Sequence, residues 1–274
     1  MPAPDKSLKA NPSADHYPSS QTLDQLCAGL EQLADKLEER GDWPHEQLEL
    51  CGQHGVLGWF VPEPWGGTGW SDLEVFRAYL DLAAACLTTT FVLTQRAGAC
   101  RRIALGEDEQ LKSRWLPPLA TGECSATVGI SHLTTSRRHL AKPVLRAEAS
   151  GSDYLFDGFS PWVTGAAQAD VIVLGATLDD GRQLLAAVPT EEPGVSVSPP
   201  AKLLGLSASH TGPVVCERVR IPGDYVLAGP RENVMQQGQG GNTGGLQTST
   251  LAVGLALAAI RFLEQQGQQR AELT

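Results

Sequence analysis

The stretch LGEDEQLKSRWLPPLATGECSATVGIS, Leu105–Ser131, divides the chain into two kinds of structure. Its first half reads as a short helix over Glu107–Trp115. Pro117 and Pro118 should break that helix, because proline has no N–H to give and its ring crowds the preceding turn. After Gly122 the pattern changes, and Ala126–Ser131 reads as a strand.

Upstream, the spacing is helical back to Thr22. Leu23, Leu26, Cys27, Leu30, Leu33, Ala34 and Leu37 recur at i, i+3, i+4 and i+7, one buried face of a helix. Thr22 with Gln25 reads as a capping box at its start, and Gly41 stops it. Pro44 suits the first turn of a second helix, which runs to about Gln53. Gly55–Trp70 is an irregular turn rich in Gly and Pro. Ser71 and Glu74 make a further capping box, and another helix covers about Thr89–Leu105.

Downstream, short runs rich in β-branched residues alternate with turns. Beyond Ala126–Ser131, the candidate strands are Val144–Ala149, Tyr154–Phe159, Asp170–Thr177, Gln183–Pro189, Val195–Ser198 and Pro213–Val219. Gly151–Asp153 and Asp179–Gly181 have hairpin composition. Thr248–Gln266 then reads as a long helix, apolar around most of its circumference, which must be buried by neighbours. The expected class is α+β: an N-terminal helical bundle, a small antiparallel β-barrel or sandwich, then a truncated C-terminal helical segment. The expected boundaries are a disordered lead-in over 1–21, helices over 22–122, the β-domain over 123–230 and the C-terminal segment over 231–274.

Composition narrows the function. The 274 residues carry a net charge of −10, which disfavours non-specific nucleic-acid binding. No run of about 18 apolar residues occurs, so no membrane span is expected. The six cysteines contain no Cys-x-x-Cys pair and read as small core residues in a reducing, cytoplasmic compartment. His132 and His139 read as loop donors rather than metal ligands, since neither has a Cys, Asp or Glu partner at ligand spacing, and no metal site is expected.

Four segments resemble the acyl-CoA dehydrogenase family. LGWFVPEPWGG, Leu57–Gly67, is similar to its Leu-Gly…Pro-Glu-x-Tyr-Gly-Gly segment. Leu105–Glu123 is similar to Gly-x-x-x-Gln-Lys-x-x-x-Leu-Pro-x-Leu-x-x-Gly, and FDGFSPWVTGAAQADVIVLGA, Phe156–Ala176, to Asn-Gly-x-Lys-x-Trp-Ile-Thr-Asn-Ala. LLGLSASHTG, Leu203–Gly212, is similar to Gly-x-Arg-x-Ser-x-Thr. The four occur in the family's order. The resemblance implies FAD as cofactor and an acyl-CoA or acyl-carrier thioester as substrate, oxidised at its CH–CH bond in fatty acid metabolism. Electron-transfer flavoprotein or O₂ would accept the electrons, and a homo-oligomer is implied.

By the same resemblance, Trp162 lies along the flavin ring and Thr164 bonds near its reactive nitrogen. A planar electron sink needs an aromatic wall and a few fixed hydrogen bonds. Read from its residues alone, Trp162 is equally a core aromatic between strands. Ile130 and Ser131 match positions whose backbone and hydroxyl touch the flavin, and Ser136 takes the place of a loop serine near phosphate. The loop itself departs from the family: His132-Leu133-Thr134-Thr135 stands where Glu-Pro-Gly-x-Gly is usual, and Arg137-Arg138 follows. Ser207 replaces the segment's arginine, and Gly245 replaces an arginine at the start of the long helix. The family's base is a glutamate in the C-terminal helical domain or a nearby helix. None is named here, and no motif singles out Glu232 or Glu264.

These departures leave room for a flavin-dependent monooxygenase of the same fold, or a non-catalytic relative that binds an acyl group or partner. Arg137 and Arg138 form either a solvated turn or a phosphate site for substrate or cofactor. No glycine remains between Ser131 and Arg146 to cradle phosphate through backbone N–H groups, so side chains must supply the donors. If they do, Arg137→Ala or Arg138→Ala weakens FAD or acyl-CoA binding roughly ten- to a hundred-fold in a titration. Unchanged affinity for both ligands in both variants means a solvated turn.

Overall fold

The computed structural model describes residues 20–134, 143–236 and 244–270. Helices come first: α1 (Ser20–Arg40), α2 (His45–Gln53), α3 (Asp72–Ala85), α4 (Leu87–Leu105) and α5 (Glu109–Thr121). The strands are β1 (Ala126–Gly129), β2 (Leu145–Ser150), β3 (Asp153–Thr164), β4 (Val171–Thr177), β5 (Gln183–Pro189), β6 (Val195–Val197), β7 (Thr211–Ile221) and β8 (Val226–Arg231). A four-residue helix, α6 (Ser131–Thr134), follows β1, and α7 (Gly244–Gln269) closes the described chain.

The mixed α+β class and the order of helices, sheet and helix agree with the sequence pattern, but several local expectations fail. α1 already contains Ser20 and Gln21, so Thr22 lies inside the helix and cannot cap it. The Ser71–Glu74 box does form: the Ser71 hydroxyl accepts from the Glu74 N–H, and the Glu74 carboxylate accepts from the Ser71 N–H at 2.7 Å. Pro117 and Pro118 do not end α5, which continues to Thr121. The carbonyls they leave unserved belong to Ser113 and Arg114, whose exposed positions let water serve instead. Burial of Leu116 and Leu119 repays continuing the helix, and the Arg96 guanidinium donates to the Leu119 carbonyl in its last turn. Arg96 also reaches the Cys124 carbonyl at 3.0 Å, tying α4 to the segment that enters β1.

The seven expected strands all form, and β8 adds an eighth. The sheet is mixed rather than antiparallel. Its order is β6-β7-β3-β2-β4-β5-β8, with β1 beside β4. β1 runs parallel to β4, and so does the start of β2. A strand that enters from α5 and leaves through α6 is not constrained by a hairpin, so it can lie parallel. The β2–β3 hairpin has antiparallel register, with Ser150 opposite Asp153. Among the described residues the edge strands β6 and β8 do not pair with each other, so no closed barrel is drawn.

Two apolar cores flank the sheet. One joins the helices to Val171, Val173, Leu185 and Ala187. The other collects Ile172, Leu174, Leu184, Ala186 and the inner residues of β2, β3 and β7. All six cysteines are free thiols, and Cys51, Cys86, Cys100 and Cys216 are buried. Burial pushes the Cys51 thiol up to about 12.

α7 is longer than its sequence pattern suggested. Leu246–Gln269 is also long and apolar enough, by length and composition alone, to cross a membrane, with a mean hydropathy of 1.5. The apolar run Leu251–Ile260 is short because Thr250 and Arg261 bound it. In the structure one side of the helix rests on α3. Gly254 lies so close to α3 that a Cβ there would sit 2.6 Å from Ala83 Cβ and 2.8 Å from the Leu80 carbonyl. Val253, Leu255, Ile260, Phe262 and Leu263 are exposed. Gly254→Val should therefore lift α7 from α3, costing about 1–3 kcal/mol in urea unfolding. It should also open α7 to limited proteolysis. Wild-type stability and protection in this variant would remove the close approach as the docking determinant.

Candidate functional site

The site that the sequence points to lies where β1 ends. β1 comes close to the sheet at Gly129, where an added Cβ would stand 2.6 Å from Leu174 and 2.9 Å from the Ser160 hydroxyl. The chain then turns. Ile130 and Ser131 were expected to extend the strand, but the Ile130 carbonyl accepts from Leu133 N–H at 3.0 Å, and Ser131 opens α6. The Ser131 carbonyl accepts from the Thr134 hydroxyl at 3.0 Å. The Ser131 hydroxyl is buried and has no hydrogen-bond partner among the described residues. Ser136, Arg137 and Arg138 lie outside the described residues.

α6 packs on β3, which carries the other two expected residues. The β3–β7 register slips between Ser160 and Val163, leaving one extra residue on β3. Pro161 sits in this bulge, where its missing N–H removes no ladder bond that the sheet needs. The bulge turns Trp162 out, 46% exposed, between buried neighbours. The core-aromatic alternative for Trp162 does not match this exposure. Thr164 is buried at 4%. Its hydroxyl bonds the Thr211 hydroxyl at 2.8 Å, which in turn bonds the Ser209 hydroxyl at 2.8 Å. The Thr127 hydroxyl donates to the Thr164 carbonyl at 2.8 Å. Thr164 thus locks β1, β3 and the start of β7 together. Ser207, which stands where the similar segment has arginine, donates its hydroxyl to the Leu203 carbonyl at 2.9 Å.

Sequence reasoning treated His132 as a loop donor and passed over Ser160 and Arg96. His132 is a donor, but a buried one: its Nε2 lies 2.7 Å from the Gly175 carbonyl of β4. Burial lowers its pKa, against the opposing pull of that bond. Its Nδ1 and the Ser160 hydroxyl are buried without partners among the described residues. No local signal marks such residues, because burial against β4 is set by tertiary packing.

Two concavities flank these elements. A cleft of about 600 Å³ between helices and sheet is walled by Trp43, Arg96, Thr127, Thr164 and Asp170. A mostly apolar groove of about 400 Å³ lies between α4 and α7, walled by Phe91, Gln95, Leu206, Leu251 and Leu255.

Known proteins resemble this chain in sequence and in fold. Its helical part, residues 21–123, matches the N-terminal domain of the acyl-CoA dehydrogenase family. A probable acyl-CoA dehydrogenase of Bacillus subtilis is 27% identical over 234 residues, 83% of this chain and 61% of that relative. The chain spans about three-fifths of the length of the first curated relatives it matches. Butyryl-CoA dehydrogenase from Megasphaera elsdenii shares the fold at a TM-score of 0.79, with 19% identity, over 91% of this chain and 68% of that one. So does dibenzothiophene monooxygenase from Paenibacillus, at a TM-score of 0.72 and 19% identity, over 89% of this chain and 64% of that one.

His132 gives this part of the fold a pH dependence. Its folded pKa lies below the unfolded value of roughly 6.5, so the unfolded chain binds the extra proton first as pH falls. The stability it permits is full above that value and lost progressively below it. His132→Gln should flatten the decline in unfolding free energy between about pH 6.5 and 5. An identical slope in wild type and variant means that His132 titrates freely in the folded chain.

Proposed function

We propose that this chain forms the flavin- and acyl-binding part of an FAD-dependent oxidoreductase that dehydrogenates the CH–CH bond of an acyl thioester. The observation that carries this reading is an outward-facing Trp162 on a bulge, next to α6 with its unpartnered Ser131 hydroxyl. An aromatic face and a spare donor suit a planar, heteroatom-rich ring better than they suit solvent. The B. subtilis relative supports it, as does the fold of butyryl-CoA dehydrogenase.

In this reading Trp162 walls the flavin ring, while the Ile130 backbone and the Ser131 hydroxyl hold its polar edge. Ser136 and the Arg137-Arg138 pair serve phosphate. Thr164 anchors the strand end, and its hydroxyl can donate to the ring while accepting from Thr211. FAD, when bound, supplies the hydride acceptor. The apolar groove between α4 and α7 takes the acyl chain and keeps water from it. Proton removal α to the thioester needs a positioned base, and we assign none among these residues. Electron-transfer flavoprotein is the proposed acceptor, the cytoplasm the proposed location, and a homo-oligomer the proposed assembly that covers the exposed side of α7.

One observation favours a second reading. The fold is shared with dibenzothiophene monooxygenase, so O₂ is the alternative acceptor, in a reaction that needs no α-proton base.

Trp162→Ala should lower flavin occupancy of the purified protein several-fold without unfolding it, because the side chain is half exposed. Flavin absorbance per protein and circular dichroism check both halves. Equal flavin content in the variant removes Trp162 from the site. Anaerobic reduction of the bound flavin by acyl-CoA, against oxygen uptake with NAD(P)H, separates the dehydrogenase from the monooxygenase.

A further inference from the structure

The groove between α4 and α7 carries a polar group whose orientation the structure fixes. Its walls are mostly apolar, among them Phe91, Leu206, Leu251 and Leu255, but Thr94 and Gln95 of α4 line it too. The Thr94 hydroxyl lies 2.6 Å from the Phe91 carbonyl. A carbonyl only accepts, so the hydroxyl proton points there. Gln95 Nε2, 2.9 Å from the same hydroxyl oxygen, must then be its donor. That sets the amide one way round, with Nε2 toward Thr94 and Oε1 away from it. Oε1 and the second N–H of Nε2 have no partner among the described residues. Unlike the sealed hydroxyls of Ser131 and Ser160, the Gln95 side chain is only half-buried, so what enters the groove can reach it.

A plain alkyl chain laid in this groove would cover the amide oxygen and offer it no donor. Covering a polar group without a partner opposes binding. A hydroxyl on the chain removes that cost, because it donates to Oε1 and can accept from the spare N–H. We propose that the acyl substrate carries a hydroxyl on its chain beyond the oxidised CH–CH bond, and that Gln95 is the residue that reads it. This rests on the acyl reading of the groove given above. The facing wall agrees with it, since Gln247 of α7 puts a second amide into the same groove. A site built to bond a hydroxyl rejects the analogue that lacks one more strongly than an apolar wall sorts chains by size.

The test titrates the whole chain with free CoA, with octanoyl-CoA and with octanoyl-CoAs hydroxylated at each carbon in turn from Cγ onward. In wild type one hydroxylated isomer should bind roughly ten-fold more tightly than octanoyl-CoA, the order expected for one hydrogen bond shielded from water. Gln95→Met keeps the length of the side chain and removes the amide. It should bind octanoyl-CoA more tightly than wild type does and should lose the preference for the hydroxylated isomer. A merely structural Gln95 changes both affinities by the same factor and leaves their ratio alone. If no hydroxylated isomer outbinds octanoyl-CoA in wild type, the proposal fails and the acyl reading stands. The same holds if Gln95→Met keeps the full preference. If neither octanoyl-CoA nor any isomer binds more tightly than free CoA, both fail.

Discussion

The structure depends on β4 being buried on both faces. Val171 and Val173 enter the core shared with the helices, while Ile172 and Leu174 enter the core of the sheet. At roughly 1.5–3 kcal/mol for each fully buried side chain of this kind, the strand contributes substantially to both cores. A strand apolar on both faces gains nothing from alternation, so a slip of one residue would not expose a polar side. Its register is held at the end instead. The Asp170 carboxylate accepts from Ser125 N–H at 2.7 Å, and the Asp170 carbonyl accepts from Thr190 N–H at 3.0 Å. Those two bonds set β1 and β5 against β4, and with β1 they set the turn carrying Ile130, Ser131 and His132.

A second contact holds the other side of the site. Gly165 follows β3 with φ of 63°, and a Cβ there would meet the Trp43 ring at 2.3 Å. Trp43, in the turn between α1 and α2, also lies against His210, whose imidazole Nε2 is 3.1 Å from the Gly41 carbonyl. The His210 carbonyl accepts from Gly165 N–H. His210 takes φ of 46° to make these contacts, a conformation that costs a non-glycine residue free energy and persists because several partners hold it. The helical part thus clamps the end of β3 two residues beyond Trp162. Trp162 stays out, and Thr164, Thr211 and Ser209 keep their hydroxyls in one buried chain.

Much of this was legible beforehand. The 3.6-residue spacing of Leu23 to Leu37 and the alternation of β-branched runs located α1 and seven strands, because burial on one face imposes those periods. Gly41 and the Ser71–Glu74 box marked helix ends through local hydrogen bonding alone. Trp162 was identified through the resemblance of Phe156–Ala176 to a family segment. Ends set by distant partners were misread. Pro117 and Pro118 signal a stop, yet Arg96, distant in sequence, caps a helix that continues through them.

The sequence by itself determined the succession of helices, strands and a final apolar helix, since each follows from local periodicity and from the stiffness of Pro, Gly and β-branched residues. It also carried the resemblance to acyl-CoA dehydrogenases, through short motifs in order. Tertiary structure alone decided that β1 lies parallel to β4, that Pro161 sits in a bulge turning Trp162 outward, and that His132 is buried with one nitrogen spent on Gly175. Each of these depends on which distant strand fills the space beside a residue, and no spacing along the chain records that.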